Sequence, residues 1–309
     1  MWAKQLQRQN DTLGVKHPQQ NPALSTVVHM KAHPLLSTPL TDSMAKHRSF
    51  LKNYILRPVG LMTRGVPIHM LNHIPRQITA NPTGSRIGGA AFITPENPWP
   101  RDRHGKRMQF VAQINLSEIP PRPYYKKDGL LQFFIADHGY YGIDDDDFLP
   151  PTNYANPHNR EVRYIPASEY ENGRLEGGLR TQAKSIQNGY FRVAPVIYEQ
   201  YPSPSDITFY NDLVQHGLLF EDALTSDLDE RVHAGPKAIF GGGWAKFAQE
   251  DQAQLSFYNH TLLTLLPIRE RTTNVKMAWG DSGIANFLMP LEDLQAWNFK
   301  NVLYYWDSY

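Results

Sequence analysis

Cysteine is absent from all 309 residues, and that removes disulfides, thiolate nucleophiles and cysteine-ligated zinc together. Stability has to come from packing and hydrogen bonding. Long apolar runs are missing too: none approaches the roughly 20 residues that a membrane-spanning helix requires. The opening MWAKQLQRQNDTLG has no apolar core of a secretory signal, so cytoplasmic residence without membrane contact is the expectation. Phosphate loops are lacking as well. RIGG at 86–89 and GGGW at 241–244 carry neither the Lys-Ser/Thr of a P-loop nor GxGxxG spacing, which leaves close backbone packing as the role of their glycines.

What is present is the composition of a folded protein. Hydrophobic residues make up 41% and charged residues 20%, enough for one large domain or two small ones. A net charge of +1 hides an uneven distribution. Residues 1–76 hold ten Lys and Arg against two acids, Asp11 and Asp42, whereas residues 77–309 hold 21 basic and 28 acidic groups. The leader is basic and the body acidic. Phosphate neutralisation by a basic leader would supply nonspecific affinity for nucleic acid. Here the charges form no dense run, and no RRM, KH or helix-turn-helix signature accompanies them. Nucleic acid is therefore a minor alternative as partner.

Residues 1–38, rich in Gln, Asn, Pro and His, read as an extended arm. A helix follows, capped by Thr41 or Asp42, with Met44, Phe50, Leu51, Tyr54 and Ile55 on one face until Pro58 stops it. From about residue 85, short apolar and aromatic runs bounded by Pro, Gly, Asp and Asn predict strands: MQFVAQINL, GLLQFFI, YFRVAPVIY, HTLLTLL, VKMAW, IANFLM and VLYYW. Helical patterns in this part are few, at 206–232 and 290–297. The expected class is α+β, mainly β, with antiparallel sheets. A faint repeat adds to this. RIGGAAF precedes FVAQINL and LLQFFI, just as IFGGGWAKF precedes LLTLLPI and IANFLM. It predicts a domain over 77–309 made of two related lobes, about 77–202 and 203–309, behind the basic segment 1–76.

Four constellations could carry chemistry. The tetrapeptide GDSG at 280–283 surrounds the nucleophile of trypsin-like proteases, but a serine also needs a base and a group that orients it. None of His33, His138 or His233 lies in the Ala-Ala-His-Cys context of that family. Flanked by two apolar runs, GDSG reads as a turn. The HxxxH pairs His29/His33 and His69/His73 lack the glutamate of HExxH and sit among prolines, so no metal is expected. The run Asp144, Asp145, Asp146 and Asp147 lacks EF-hand spacing and reads as a solvated loop suited to a cationic partner. Asp137, His138 and Asp144 form the cluster that an enzyme reading would use.

The segments SRIGGAAF, PENPWPRDRHGKRMQFVAQINLSEIP, GLLQFFI, GGGWAKFAQED and MAWGDSGIANFLMPLEDLQAWNFKNVLYYWDSY together resemble the YwqG-like family, bacterial proteins built on a domain of unknown function, over about residues 50–309. The resemblance implies a mainly β, roll-like structure of two similar halves, with no catalytic residue and no cofactor. It marks Gly88, Gly89, Trp279, Gly280, Asp281 and Gly283 as structural motif positions, with Ser282 variable. Such proteins look like components of toxin neighbourhoods, which implies an immunity protein that binds a bacterial toxin or effector. The expected contacts are Asp144, Asp145, Asp146 and Asp147 with the anchors Trp99, Tyr140, Tyr141 and Phe148, aromatic groups near charge being usual at interface centres.

Overall fold

The structure, a computed structural model, describes residues 35–36, 38–67, 74–143, 158–177, 186–204, 206–249 and 257–308. In chain order the strands are β1 (Leu35–Leu36), β2 (Val59–Pro67), β3 (Arg86–Gly88), β4 (Ala91–Ile93), β5 (Gln109–Asn115), β6 (Leu130–Ile135), β7 (Arg160–Ile165), β8 (Arg174–Glu176), β9 (Gly189–Tyr198), β10 (Ala238–Phe240), β11 (His260–Leu265), β12 (Ile268–Glu270), β13 (Val275–Met277), β14 (Ile284–Met289) and β15 (Leu303–Asp307). Ten of them form one antiparallel path, β15-β14-β11-β10-β2-β9-β3-β5-β6-β7, and β1 adds a short parallel pairing to β9. The path curls into a nearly closed, barrel-like sheet. Pairs β12-β13 and β4-β8 make two small sheets. The class is mainly β, as the apolar runs predict.

The order is symmetric about the β2–β9 pair. Gly60 faces Val196 and Arg64 faces Arg192, which places the centre at Met62 opposite Ala194. Outward from there, β10, β11, β14 and β15 correspond to β3, β5, β6 and β7. Registers match in detail. The β5–β6 pairing slips by one residue between Phe110 and Ala112, and the β11–β14 pairing slips between Thr261 and Leu263. Beyond each bulge Gln113 faces Gln132 and Thr264 faces Asn286. The repeat seen as RIGG…LLQFFI and IFGG…IANFLM is thus a repeat of strand order and of bulge position.

Both β6 and β14 are buried at every residue. Such strands read as unbroken apolar runs because both faces are covered. One face packs into the barrel, where the Phe133 and Phe287 rings meet edge-on at 5.1 Å and Phe287 stacks on Tyr304. The other face carries one amide per strand. Gln132 Nε2 donates to Gln113 Oε1 at 2.8 Å and to the Phe92 carbonyl, and Gln132 Oε1 accepts from Arg163 Nε at 3.0 Å. Asn286 Oδ1 accepts from Thr264 Oγ1 at 2.7 Å, and its Nδ2 donates to the Lys246 carbonyl at 2.6 Å. Each amide therefore ties its strand to the chain excursion that covers it.

Strand β2 occupies residues where the sequence shows only a basic segment following a helix. VGLMTRGVP contains two glycines and a proline, which mask its strand character, yet it pairs with β9 over nine positions. Helices flank the sheet. Thr41 caps α1 (Asp42–Lys46), and α2 (Arg48–Leu51) continues it, with Met44, Leu51 and Tyr54 buried as their spacing predicts. The single helical pattern at 206–232 is two helices, α4 (Ile207–Gln215) and α5 (Asp222–Ala234). Gly217, at φ 68°, turns the chain between them. Two further short helices are α3 (Arg76–Ala80) and α6 (Leu291–Gln295). Lys246 is buried and donates through Nζ to the Val232 carbonyl near the end of α5, where a cation suits the helix dipole. Burial is the main force that pulls its ammonium down to about 7, and Lys237 adds to it.

Gln132→Leu and Asn286→Leu each leave buried partners without a hydrogen bond, so each should lower stability by about 2–4 kcal/mol. Urea unfolding measures it. Equal stability of either variant and wild type would show that the covering excursions relax to satisfy their own groups.

Candidate functional site

The GDSG segment is a tight turn. Gly283 N donates to the Trp279 carbonyl at 2.7 Å, and Gly280 adopts φ 58°. Trp279 is fully buried and donates through Nε1 to the Tyr304 hydroxyl at 2.6 Å, which in turn donates to the Tyr141 carbonyl at 2.7 Å. Ser282 makes no hydrogen bond to an imidazole among the described residues. The glycines at 88 and 89 adopt φ 74° and 81°. A Cβ at 88 would collide with Gln187, which explains the demand for glycine there.

Of the expected contact residues, Asp144, Asp145, Asp146, Asp147 and Phe148 lie outside the described residues, as do both HxxxH pairs. Tyr140 is 51% exposed, and its carbonyl accepts from Trp306 Nε1 at 2.9 Å. Tyr141 is half-buried, edge-on to Trp306 at 5.1 Å. Trp99 lies elsewhere, half-buried against Phe134, under the Arg107 guanidinium and bonded to the Met108 carbonyl. Asp137 accepts from Gln109 Nε2 at 2.9 Å, and His138 meets the His104 ring edge-on at 5.4 Å. Among the described residues no group of three or more His, Asp or Glu stands close enough to hold a metal ion.

Two places in the fold present unsatisfied charge instead. The first is the outer face of the central strands. Register aligns Arg86, Arg192 and Arg64 in a row across β3, β9 and β2. Arg86 is buried and spends its guanidinium on the carbonyls of Pro82, Gly84 and Ala90, and burial lowers its pKa to about 9. Arg64 and Arg192 are exposed and stand directly opposite each other. No carboxylate among the described residues lies within ion-pair distance of either. Like charges facing across a ladder destabilise a sheet. Beside them on the same face, one position further along each strand's alternation, are exposed Met62 and Ala194.

The second is a cleft where the loop 120–128 crosses from β5 toward the other half of the sheet. Arg122 donates through Nε to the Gly241 carbonyl at 3.0 Å and through Nη1 to the Arg57 carbonyl at 2.6 Å. Tyr125 packs edge-on to Phe240, and its hydroxyl pairs with His260 Nε2 at 2.9 Å. Leu56, Arg57, Gly242, Asn259 and Thr261 line the remaining walls. Burial, assisted by the nearby Arg122 charge, pushes the His260 imidazole down to about 3. Burial likewise pushes the Tyr125 hydroxyl up and the Arg122 guanidinium down. The pair is held neutral beside a guanidinium. Sequence spacing gave no signal for either place, because strand register and a contact spanning 135 residues decide them.

Residues 85–308 match the model of DUF1963, described as a domain of unknown function. No curated protein matches the chain. Among the described residues no helix is long and apolar enough to cross a membrane.

His260 binds no proton in the folded state until about pH 3, whereas an unfolded histidine does so near 6.5. Below 6.5 the unfolded chain therefore holds the extra proton, and stability falls on acidification. The loss between pH 7 and 5 should be about 2 kcal/mol. Urea midpoints at the two pH values, compared with those of His260→Gln, check this; the variant should lose less over that interval.

Proposed function

The chain belongs to the DUF1963 family, a domain of unknown function, and we propose that this member acts as a protein-binding protein. The observation that carries the reading is the exposed Arg64–Arg192 pair beside Met62 and Ala194. Two like charges kept face to face cost stability in the free protein, and a partner carboxylate would relieve the repulsion while the apolar neighbours add buried area. The partner face is therefore acidic with an apolar centre. The finer reading is an immunity protein that neutralises a cognate bacterial toxin or effector by direct contact in the cytoplasm; the likeness to YwqG-like proteins supports it. The acidic run at 144–147 then serves as a second contact, to a basic part of the same partner.

Arg64→Glu discriminates a binding role from a structural one. A Glu opposite Arg192 replaces repulsion with attraction, so the variant should be more stable by about 0.5 kcal/mol, yet its partner should dissociate faster or be lost. Affinity capture from the native lysate with wild type and variant, together with urea melts, reads both effects. Retention of the same stoichiometric partner by both proteins removes this face from the interface. Charge reversal at residues 144–147 tests the second contact in the same capture, through slower association.

A further inference from the structure

We propose that the cleft beneath the 120–128 loop is a binding site for a single carboxylate, held between the Arg122 guanidinium and the His260 imidazole over Gly242. The Arg122 charge lacks a counter-ion among the described residues. Among these residues Arg122 is bonded to the two carbonyls of Gly241 and Arg57, which accept hydrogen bonds but carry no formal charge. Arg57 does not share this condition, because Glu199 neutralises it at 2.8 Å. The positive charge of the cleft is that of Arg122, whose Nη2 makes no hydrogen bond among the described residues.

Two side-chain nitrogens in the cleft walls are left able to donate. His260 uses Nε2 on Tyr125, and its Nδ1 makes no hydrogen bond among the described residues. When the Tyr125 hydroxyl donates to Nε2, Nδ1 carries the proton, and an anion in the cleft selects that tautomer. Asn259 spends its Oδ1 on Leu291 N at 2.9 Å, which leaves its Nδ2 amide to donate. Thr261 is already committed through Oγ1 to the Gly243 carbonyl at 3.0 Å. Residue 242 supplies the space. A Cβ there would stand 3.6 Å from Arg122 Nη2 and 3.5 Å from His260 Cε1, so the volume between cation and imidazole exists because glycine leaves it. The interior of about 20 Å³ admits one water-sized group, the size of a single carboxylate oxygen, with the rest of the ligand toward the open mouth of the cleft. One cation with Nη2 uncommitted and flanking neutral donors suit a carboxylate, one oxygen of which accepts from Nη2 in a charge-assisted hydrogen bond.

The two-fold relation of the halves isolates what is special here. Gly88 and Gly89 occupy the positions of Gly241 and Gly242, but there Gln187 lies over Gly88 and donates through Nε2 to the Phe110 carbonyl at 3.0 Å, while Ile78 and Tyr190 fill the space over Gly89. Uncharged side chains close one cleft. In the other, a guanidinium leaves a donor facing open space. This site stands apart from the β2–β9 face and does not depend on the partner reading.

The test uses the full chain at pH 7 and follows the His260 ring resonance, assigned by comparison with His260→Gln. Sodium acetate is titrated against sodium chloride at equal ionic strength. Acetate should shift the resonance saturably with a dissociation constant of about 10 mM, the weak affinity of one charge-assisted contact. Arg122→Gln should abolish the shift, and Arg122→Lys, which keeps the charge but loses the nitrogen held in place by the two carbonyl contacts, should weaken it about tenfold, one charge-assisted hydrogen bond. N-acetyl-dialanine with a free C-terminus and its amide identify the source: tighter binding of the peptide acid than of acetate assigns a peptide terminus, and equal binding assigns a free small acid. No saturable shift of the wild type by either acid overturns the proposal, whether or not the variants fold. So does an equal response to the peptide amide.

Discussion

Strands β6 and β14 are buried on both faces, and each carries one amide that must find partners away from water. Gln132 and Asn286 meet that requirement by bonding to the neighbouring strand and to the chain that passes over them. An unsatisfied buried amide costs about as much as several apolar contacts contribute. The covering excursions are therefore fixed in position by a polar constraint rather than by apolar packing alone. On the opposite face, Phe133 and Phe287 join the two halves inside the barrel. Repeating the same device twice, with matching bulges, gives one sheet its two-fold order.

That order is broken where charge enters. Arg192 corresponds to Gly60 and Arg64 to Val196 in the symmetric register, so one end of the central face is cationic and the other is not. Arg122 lies over the pair Gly241 and Gly242, whereas in the counterpart Gln187 lies over Gly88 and Ile78 and Tyr190 over Gly89. In both cases the backbone geometry is conserved between the halves while a side chain differs. The scaffold supplies a rigid frame, and asymmetry of side chains supplies sites, which is the usual division of labour between fold and function.

Neutrality of the His260–Tyr125 pair follows from the same frame. The histidine at the start of β11, just before the bulge, is buried and pairs with Tyr125 of the 120–128 loop. The imidazole cannot take a proton there without losing hydration next to a guanidinium. It remains a neutral hydrogen-bonding group over the physiological range, fit to orient rather than to titrate.

Local pattern was enough to read much of the fold. Apolar runs with bounding turn residues identify β5, β6, β11, β14 and β15, because a strand covered on both faces needs little beyond apolar length; β9, exposed at Arg192 and Ala194, shows itself by its β-branched and aromatic residues. Repeated Gly-Gly and apolar segments correspond to the strands β3, β5 and β6 and their counterparts β10, β11 and β14, and the Gly280 to Gly283 turn followed from its composition. Strand β2 was hidden, since its glycines and proline are tolerated only when neighbours on both sides fix the ladder. The break between α4 and α5 depended on one glycine in a left-handed conformation. The sites lay beyond local pattern altogether. An arginine's charge is visible in a sequence, but whether it meets an acid, a carbonyl or another arginine depends on register and on contacts between distant segments. Tertiary structure alone placed Arg64 against Arg192 and Arg122 beside His260.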